Sequence, residues 1–332
     1  MFFVALGDLS DMAFIKFLII LVAAAVSLLA LYTYGASKWL ENKFPPLGHF
    51  VEVGGERLHY LSKGQGQPIV LLHGASASLR DMEASLVDDL AKDFQVIAFD
   101  RPGYGYSTRN NGTWPNPDIQ AVLIEKALAK LGVEKPIVVG HSLAGSVVMA
   151  YLLHFPEQVS GGILLAGATH PWDTGVSPNV RLARAPIIGQ LFASTLVMPV
   201  GQAIFDGAIQ NVFSPEDPTE GYEERTGAML ALRPGPFRAS AQDVKNLSPF
   251  LMRQSKRYGE IKAPLLLITA EKDTIVPAWN HAERVIKAVP QAELVEVEGA
   301  GHAFHHSRQE EIVKMIHKFV RQQHFEIQPA SS

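Results

Sequence analysis

The order of the apolar segments predicts a doubly wound, mostly parallel α/β sheet with one helical insertion and an apolar helix ahead of it. Three observations carry that expectation. Short uninterrupted apolar runs recur at Ile69–Leu72, Val96–Phe99, Ile137–Val139, Ile163–Leu165 and Leu265–Ile268, with a more mixed one at Leu294–Val297. Runs of this kind belong to parallel strands covered on both faces. Helix-like segments lie between them, and alternation of this length gives a doubly wound sheet. From residue 171 to about 249 the alternation stops, and apolar stretches such as Leu191-Phe192 and Leu196-Val-Met198 are chopped by Pro186, Pro199 and Gly201. That segment predicts short helices, placed to lie over the end of the sheet as a cap.

With 332 residues the chain can hold one large α/β domain plus that insertion. Its 29 Lys+Arg against 33 Asp+Glu leave no basic excess of the kind a nucleic-acid partner requires. It contains no cysteine, which excludes disulfides, thiolate catalysis and cysteine metal sites.

Taken in order, residues 1–12 form an N-terminal segment and 13–34 read as a transmembrane anchor. From Phe17 to Tyr32 the only polar residue is Ser27. About twenty such residues at about 1.5 Å each cross roughly 30 Å of hydrocarbon. Lys16 can extend to the headgroups, and Tyr32, Tyr34 and Trp39 fall where an interfacial aromatic belt would lie. A cleaved signal peptide would want a positive start, whereas this one carries Asp8 and Asp11. A buried core helix is the other alternative, but it would stand ahead of an otherwise complete fold. A retained single-pass anchor fits best. Lys38 and Lys43 against Lys16 lean toward a cytoplasmic catalytic domain, but large domains translocate regardless of such differences, so the side stays open.

Residues 35–47 read as a juxtamembrane linker ending in Pro45-Pro46. The first part of the core, 48–170, opens with a hairpin, since Val51-Glu-Val53 and Leu58-His-Tyr60 alternate around Gly54-Gly55. A helix is expected from near Pro117 to Gly132, with Ile119, Val122, Leu123, Leu128 and Leu131 on one face. The cap is 171–249, the second part of the core 250–325, and 326–332 a tail. In the second part, Ser307 and Glu310 read as a capping box ahead of a final helix.

The chemistry centres on Pro136-Ile-Val-Val-Gly140-His141-Ser142-Leu143-Ala144-Gly145. An apolar strand enters a Gly-x-Ser-x-small turn and an alanine-rich helical segment follows, the context of a nucleophile elbow. Ala144 stands where a third glycine is more usual. Such a string can also be a plain helix N-cap, so its partners decide. Asp273 lies just past the strand Leu265–Ile268, and His302 sits in the small-residue loop Glu298-Gly-Ala-Gly-His past the final strand. Asp273 would fix one ring nitrogen and leave the other to take the serine proton. Glu271 is a nearby second carboxylate. Leu72-His73-Gly74-Ala75 ends another strand, and the backbone N–H groups of Ala75 and Leu143 are the expected oxyanion donors, with Ser76 a weaker candidate. Asp100 and Arg101 read as bracing for a loop below the site, and His73 and His141 as packing groups. His305 and His306 next to His302 raise a metal cluster, but no acidic or cysteine ligands are expected to surround them and one loop of histidines is poor support for a closed site, so no metal is expected and they read as solvent-facing or supporting groups.

His73-Gly74, Asp100-Arg-Pro-Gly103, Gly140-His-Ser142, Asp273 and Gly301-His302 occur in the order and spacing of the α/β-hydrolase superfamily, and the chain resembles it over roughly residues 48–325. The resemblance implies a Ser142–His302–Asp273 triad, a covalent acyl-enzyme and no cofactor. Haloalkane dehalogenases and epoxide hydrolases of this fold carry aspartate at the elbow, which Ser142 argues against. With its apolar N-terminus the chain looks like the membrane-anchored lipases, monoacylglycerol hydrolases and phospholipases A. The expected function is a membrane-anchored serine hydrolase of carboxylic esters, with an acyl-ester or lipid substrate. The alternative keeps the triad for a carbon–carbon or amide hydrolase or a perhydrolase on a small substrate, and a non-catalytic ligand-binding homologue ranks last.

Overall fold

The computed structural model describes residues 3–110, 114–173, 175, 178–183 and 185–327. Eight strands form one sheet in the order β1-β2-β4-β3-β5-β6-β7-β8. β1 (His49–Val53) and β2 (Glu56–Lys63) make an antiparallel hairpin, turned by Gly54 and Gly55 at φ +59° and +81°. β2 is also antiparallel to β4 (Gln95–Phe99). All other pairings are parallel, among β3 (Pro68–Leu72), β4, β5 (Ile137–His141), β6 (Gly161–Leu165), β7 (Leu265–Ala270) and β8 (Ala292–Val297).

The strands read as continuous apolar runs because both faces are covered. Successive side chains point to opposite faces, so Ile69 and Leu71 enter one core cluster while Val70 and Leu72 enter the other. The first face is closed by α14 (Gln309–Ile327) and by the short helices α2 (Leu79–Met82) and α3 (Asp88–Leu90). The second is closed by α4 (Pro117–Lys130), α5 (Gly145–His154) and α12 (Ala282–Ala288). Each fully buried leucine or isoleucine in these layers stabilises the fold by about 1.5–3 kcal/mol. α4 starts where Asn116 accepts the Ile119 N–H at 3.0 Å, and Gly132 at φ +69° turns the chain away at its end. The crossing of α5 over β6 has no room to spare. A Cβ on Gly145 would lie 2.5 Å from the Cα of Gly167.

Between β6 and β7 the described residues form six α-helices: α6 (Pro178–Ala183), α7 (Pro186–Thr195), α8 (Val197–Ala203), α9 (Phe205–Phe213), α10 (Tyr222–Thr226) and α11 (Pro234–Gln254). The expected break at 249/250 falls inside α11, which carries Pro249 in its interior. A buried ion cluster ties α11 to the core. Asp243 accepts from Arg101 Nη1 at 3.1 Å, Arg109 Nη2 at 2.8 Å, the Tyr104 hydroxyl at 3.0 Å and Trp114 Nε1 at 3.0 Å. Arg101 also donates to the carbonyls of His73 and Gly74, at 2.8 and 2.9 Å, so it holds up the loop that follows β3.

α1 (Phe3–Lys43) is continuous, so the segment read as a linker is helical as far as Lys43. Its last turns are held by packing: Leu40 and Phe44 are buried with Met198 and Leu230, and Glu41 accepts from Arg233 at 3.0 Å. At the other end of the chain the capping box is not formed. Ser307 closes α13 (Phe304–Ser307), and its hydroxyl donates to Glu216 of the insertion at 2.6 Å, because that carboxylate lies nearer than the first turn of α14.

Candidate active site

Parallel pairing lines up the carboxyl ends of the strands: Leu72 stands opposite Gly140, and Gly140 opposite Leu164. The loops leaving those ends carry the candidate residues, where open α/β sheets bind ligands. Ser142 follows β5 at φ +53°, a left-handed conformation that L-residues other than glycine rarely adopt. Small neighbours permit that turn. A Cβ on Gly140 would lie 2.6 Å from Val148 Cγ2 and 2.7 Å from the Ala144 carbonyl oxygen. Ala144 itself is fully buried in the core cluster, so the methyl there is accommodated.

Asp273, in the turn after β7, and His302, after β8, come together although 29 residues separate them. His302 Nδ1 and Asp273 Oδ2 are 2.7 Å apart. The other carboxylate oxygen accepts the N–H groups of Ile275 at 2.8 Å and Val276 at 2.9 Å. Burial works against the charge on Asp273, but His302 and those two N–H groups outweigh it and hold the carboxyl below its ordinary value. Ser142 and His302 line one cavity, yet no hydrogen bond joins them among the described residues, and Ser142 Oγ has no partner. Proton transfer needs that contact to close to about 3 Å, a distance often reached only with substrate bound. Glu271 lies apart, exposed, paired with Lys272 at 2.5 Å and accepting the Gly299 N–H at 2.9 Å.

Of the two expected oxyanion donors, Ala75 lines the cavity and packs on the cluster that contains Leu143. Leu143 lies in the first turn after Ser142, where backbone N–H groups have no intrahelical acceptor. Ser76 is tied to α11, its N–H and hydroxyl lying 3.1 and 3.0 Å from Ser240 Oγ. Asp100 braces its loop, accepting from the N–H groups of Leu79 at 2.7 Å and Tyr106 at 2.8 Å.

His305 and His306 do not face solvent. Both are buried, with their Nε2 atoms 3.1 and 2.9 Å from the two oxygens of Asp81, which also accepts from the Tyr222 hydroxyl at 3.3 Å. Burial works against the Asp81 charge, and the two imidazoles outweigh it, so its carboxyl sits well below the ordinary range. Asp81 and His305 form part of the cavity wall. No sequence signal links Asp81 to histidines more than two hundred residues away; only the crowding of His302, His305 and His306 pointed here. The three side chains bring donor atoms within 4.8 Å of one another, close enough to be tested as a metal set. A metal-bound imidazole needs an acceptor for its other ring N–H. The Nδ1 atoms of both residues are buried without a partner, which suits neutral rings donating to the carboxylate and not metal ligands.

Burial, aided by the Arg101 charge for His73 and by His306 for His305, holds His73 and His305 at about 4, against the ordinary 6.5. Between those values the unfolded chain binds the protons and the folded chain does not, so stability rises with pH. Each residue is expected to remove about 1.4 kcal/mol of stability per pH unit as pH falls from 6.5 toward 4. Urea unfolding followed from pH 7 to pH 5 checks this, and a constant midpoint would refute it.

The cavity measures about 440 Å³. Besides Ser142 and His302 it is walled largely by the insertion, with Phe192, Leu196, Val200, Ile204, Ile209 and Val212 among the lining residues and, among the described residues, neither lysine nor arginine. Comparison with known proteins follows the same lines. A family model described as the alpha/beta hydrolase fold matches residues 67–309. The chain is 26% identical over 273 residues to a 2-hydroxy-6-oxononadienedioate/2-hydroxy-6-oxononatrienedioate hydrolase of Escherichia coli O81 (strain ED1a), covering 76% of this chain and 87% of that protein. Among solved structures, a thermophilic esterase from Thermogutta terrifontis superposes with a TM-score of 0.66 at 21% identity, over 83% of this chain and 100% of its own. A membrane phospholipase A, described as a novel bacterial virulence factor, superposes with a TM-score of 0.64 at 20% identity, over 94% of this chain and 99% of its own. At those identities the structural likeness speaks for the fold alone. With most of its length matched by the family model, its sheet order and the loops at the carboxyl ends of its strands, the chain belongs to the α/β-hydrolase fold family.

Proposed function

We propose that this hydrolase is a membrane-anchored serine esterase acting on a neutral substrate with a long apolar acyl part. Ser142 attacks the acyl carbonyl, His302 takes its proton and returns it to the leaving alcohol, and Asp273 holds the imidazole. The N–H groups of Ala75 and Leu143 receive the oxyanion, and water releases the acid from the acyl-enzyme. The carrying observation is the composition of the cavity wall: apolar helices of the insertion on one side, Ser142 and His302 on the other, and no lysine or arginine among the described residues.

The curated relatives support carbon–carbon bond hydrolysis at least as well, since their names specify a dienedioate or trienedioate substrate. A dicarboxylate has to be desolvated on entry and wants cationic partners. Here the described residues of the cavity offer neither lysine nor arginine, and Asp81 adds a negative charge to the wall. A carbon–carbon substrate of this chain would therefore be less charged than those names imply. A panel of p-nitrophenyl esters of increasing acyl length, glycerolipids and a ring-fission dienedioate separates the readings. Expected is a kcat/KM that rises by at least about tenfold from acetyl to octanoyl, as several added methylenes at about 0.8 kcal/mol each require, with negligible turnover of the dioate. Dioate turnover faster than that of every ester would overturn the ester reading in favour of the second.

A further inference from the structure

Outside α1, apolar surface unaccounted for by the core is concentrated from α7 to the start of α9. Ile187 is 83% exposed, Ile188 61% and Ile204 61%, and Leu191, Leu196 and Val200 are open to solvent as well. From Ala185 through Phe205 the chain carries no charged side chain at all. A monomer has reason to hide a contiguous face of this kind, and α1 indicates what covers it.

The first part of α1, from Met12 to Ala25, is exposed on every side. From Val26 onward one stripe is covered: Val26, Leu29, Ala30, Thr33, Ala36, Ser37, Leu40 and Phe44 recur at helical spacing. α1 is in contact with α7 and α8. The Thr33 hydroxyl donates to the Thr195 carbonyl at 3.3 Å, and the Tyr32 hydroxyl to Gln202 at 2.6 Å. Thus the insertion begins to lean on α1 at Val26, about 10 Å before Thr33 along the helix axis at about 1.5 Å per residue. The apolar run that would cross the bilayer continues to Tyr32. If residues 13 to 32 fill the hydrocarbon, the helices resting on Val26 to Thr33 cannot be held clear of the membrane surface.

We infer that α7, α8 and the start of α9 are themselves submerged in the leaflet that receives the end of α1, and that the cavity above Ser142 opens toward lipid and not toward water. Leu196, Val200 and Ile204 are exposed outside and line the cavity within, so they form its rim. The inference rests on reading α1 as a membrane span but not on the chemistry assigned to Ser142. It gives the insertion a second role: a shallow wedge, free of charge from Ala185 through Phe205, of the kind that binds interfaces through buried apolar area.

The absence of native cysteine makes the test direct. In the full chain, single cysteines replace Leu21 in the span, Ile188 on α7 and Glu134, which is exposed just before β5 at the opposite end of the sheet from Ser142. Each is labelled with NBD and reconstituted into phosphatidylcholine–phosphatidylglycerol vesicles with or without lipid spin-labelled high on the acyl chain. Blue-shifted emission at 188, quenched by the spin label, with water-like emission at 134, is the expected result. Water-like emission at 188 with quenching at 21 overturns the docking and leaves the span standing. Water-like emission at both overturns the span as well. A blue shift at 188 without quenching means that protein, such as a second copy, covers the face, and also overturns the inference. In a second arm, Ile187→Glu with Ile188→Glu should lower turnover of a vesicle-embedded ester about tenfold, the equivalent of about 1.4 kcal/mol. Hydrolysis of a soluble short-chain ester should be unchanged, because neither residue lines the cavity. An equal loss on both substrates, or no loss on either, would count against the wedge.

Discussion

Replacing Ser142 by alanine is expected to lower kcat by about 10³- to 10⁶-fold and to abolish labelling by a fluorophosphonate probe. The loss should be chemical. Ser142 stands at φ +53°, and alanine at that dihedral is strained about as much as serine, so the fold should be kept. Ser142→Gly sharpens the point, because glycine takes a left-handed conformation freely. That variant should be equally inactive yet more stable, by about 1 kcal/mol. Retained labelling in either variant would place the nucleophile elsewhere. Retained turnover with lost labelling would show that the probe and the substrate use different groups.

The elbow at Ser142 belongs to what could be read in the chain, because the Gly-x-Ser-x-small turn after an apolar strand announces it, whereas its left-handed dihedral came only with the structure. The strands were legible for a related reason. Each is apolar on both faces, so the runs at 69–72, 137–139 and 265–268 stand out without any partner being known. Asp273 and His302 were legible through their place just after such strands. Features that depend on distant partners were not. Helical α1 runs past Gly35 to Lys43 because Leu40, Glu41 and Phe44 find Met198, Arg233 and Leu230, all remote in sequence. Ser307 and Glu310 have the spacing of a cap, but Glu216 claims the hydroxyl. The cap boundary expected at 249/250 lies inside α11 instead, where Phe250 and Leu251 pack with Leu143 and Val276. His305 and His306 look like surface histidines until Asp81 is brought beside them.

Asp273→Asn is expected to cost about 10⁴ in kcat with little change in stability. The reasoning follows the hydrogen bonds. Oδ1 accepts two backbone N–H groups, from Ile275 and Val276. An asparagine in this turn must keep its carbonyl oxygen on those donors, because an NH₂ group there would meet two N–H groups head-on. Its NH₂ then takes the place of Oδ2, 2.7 Å from His302 Nδ1. It can only donate, so Nδ1 must become the acceptor and the ring proton moves to Nε2. The nitrogen meant to receive the serine proton is thereby already occupied. Fluorophosphonate labelling should slow in step with turnover, since both need the same deprotonation. Glu271→Gln is the matched control: that side chain is exposed and engaged with Lys272 and the Gly299 N–H, so activity should stay within about twofold, as for a surface position. If Asp273→Asn kept activity within about tenfold of wild type while Glu271→Gln lost it, the orienting role would pass to Glu271. The His302–Asp273 contact would then be one of structure alone.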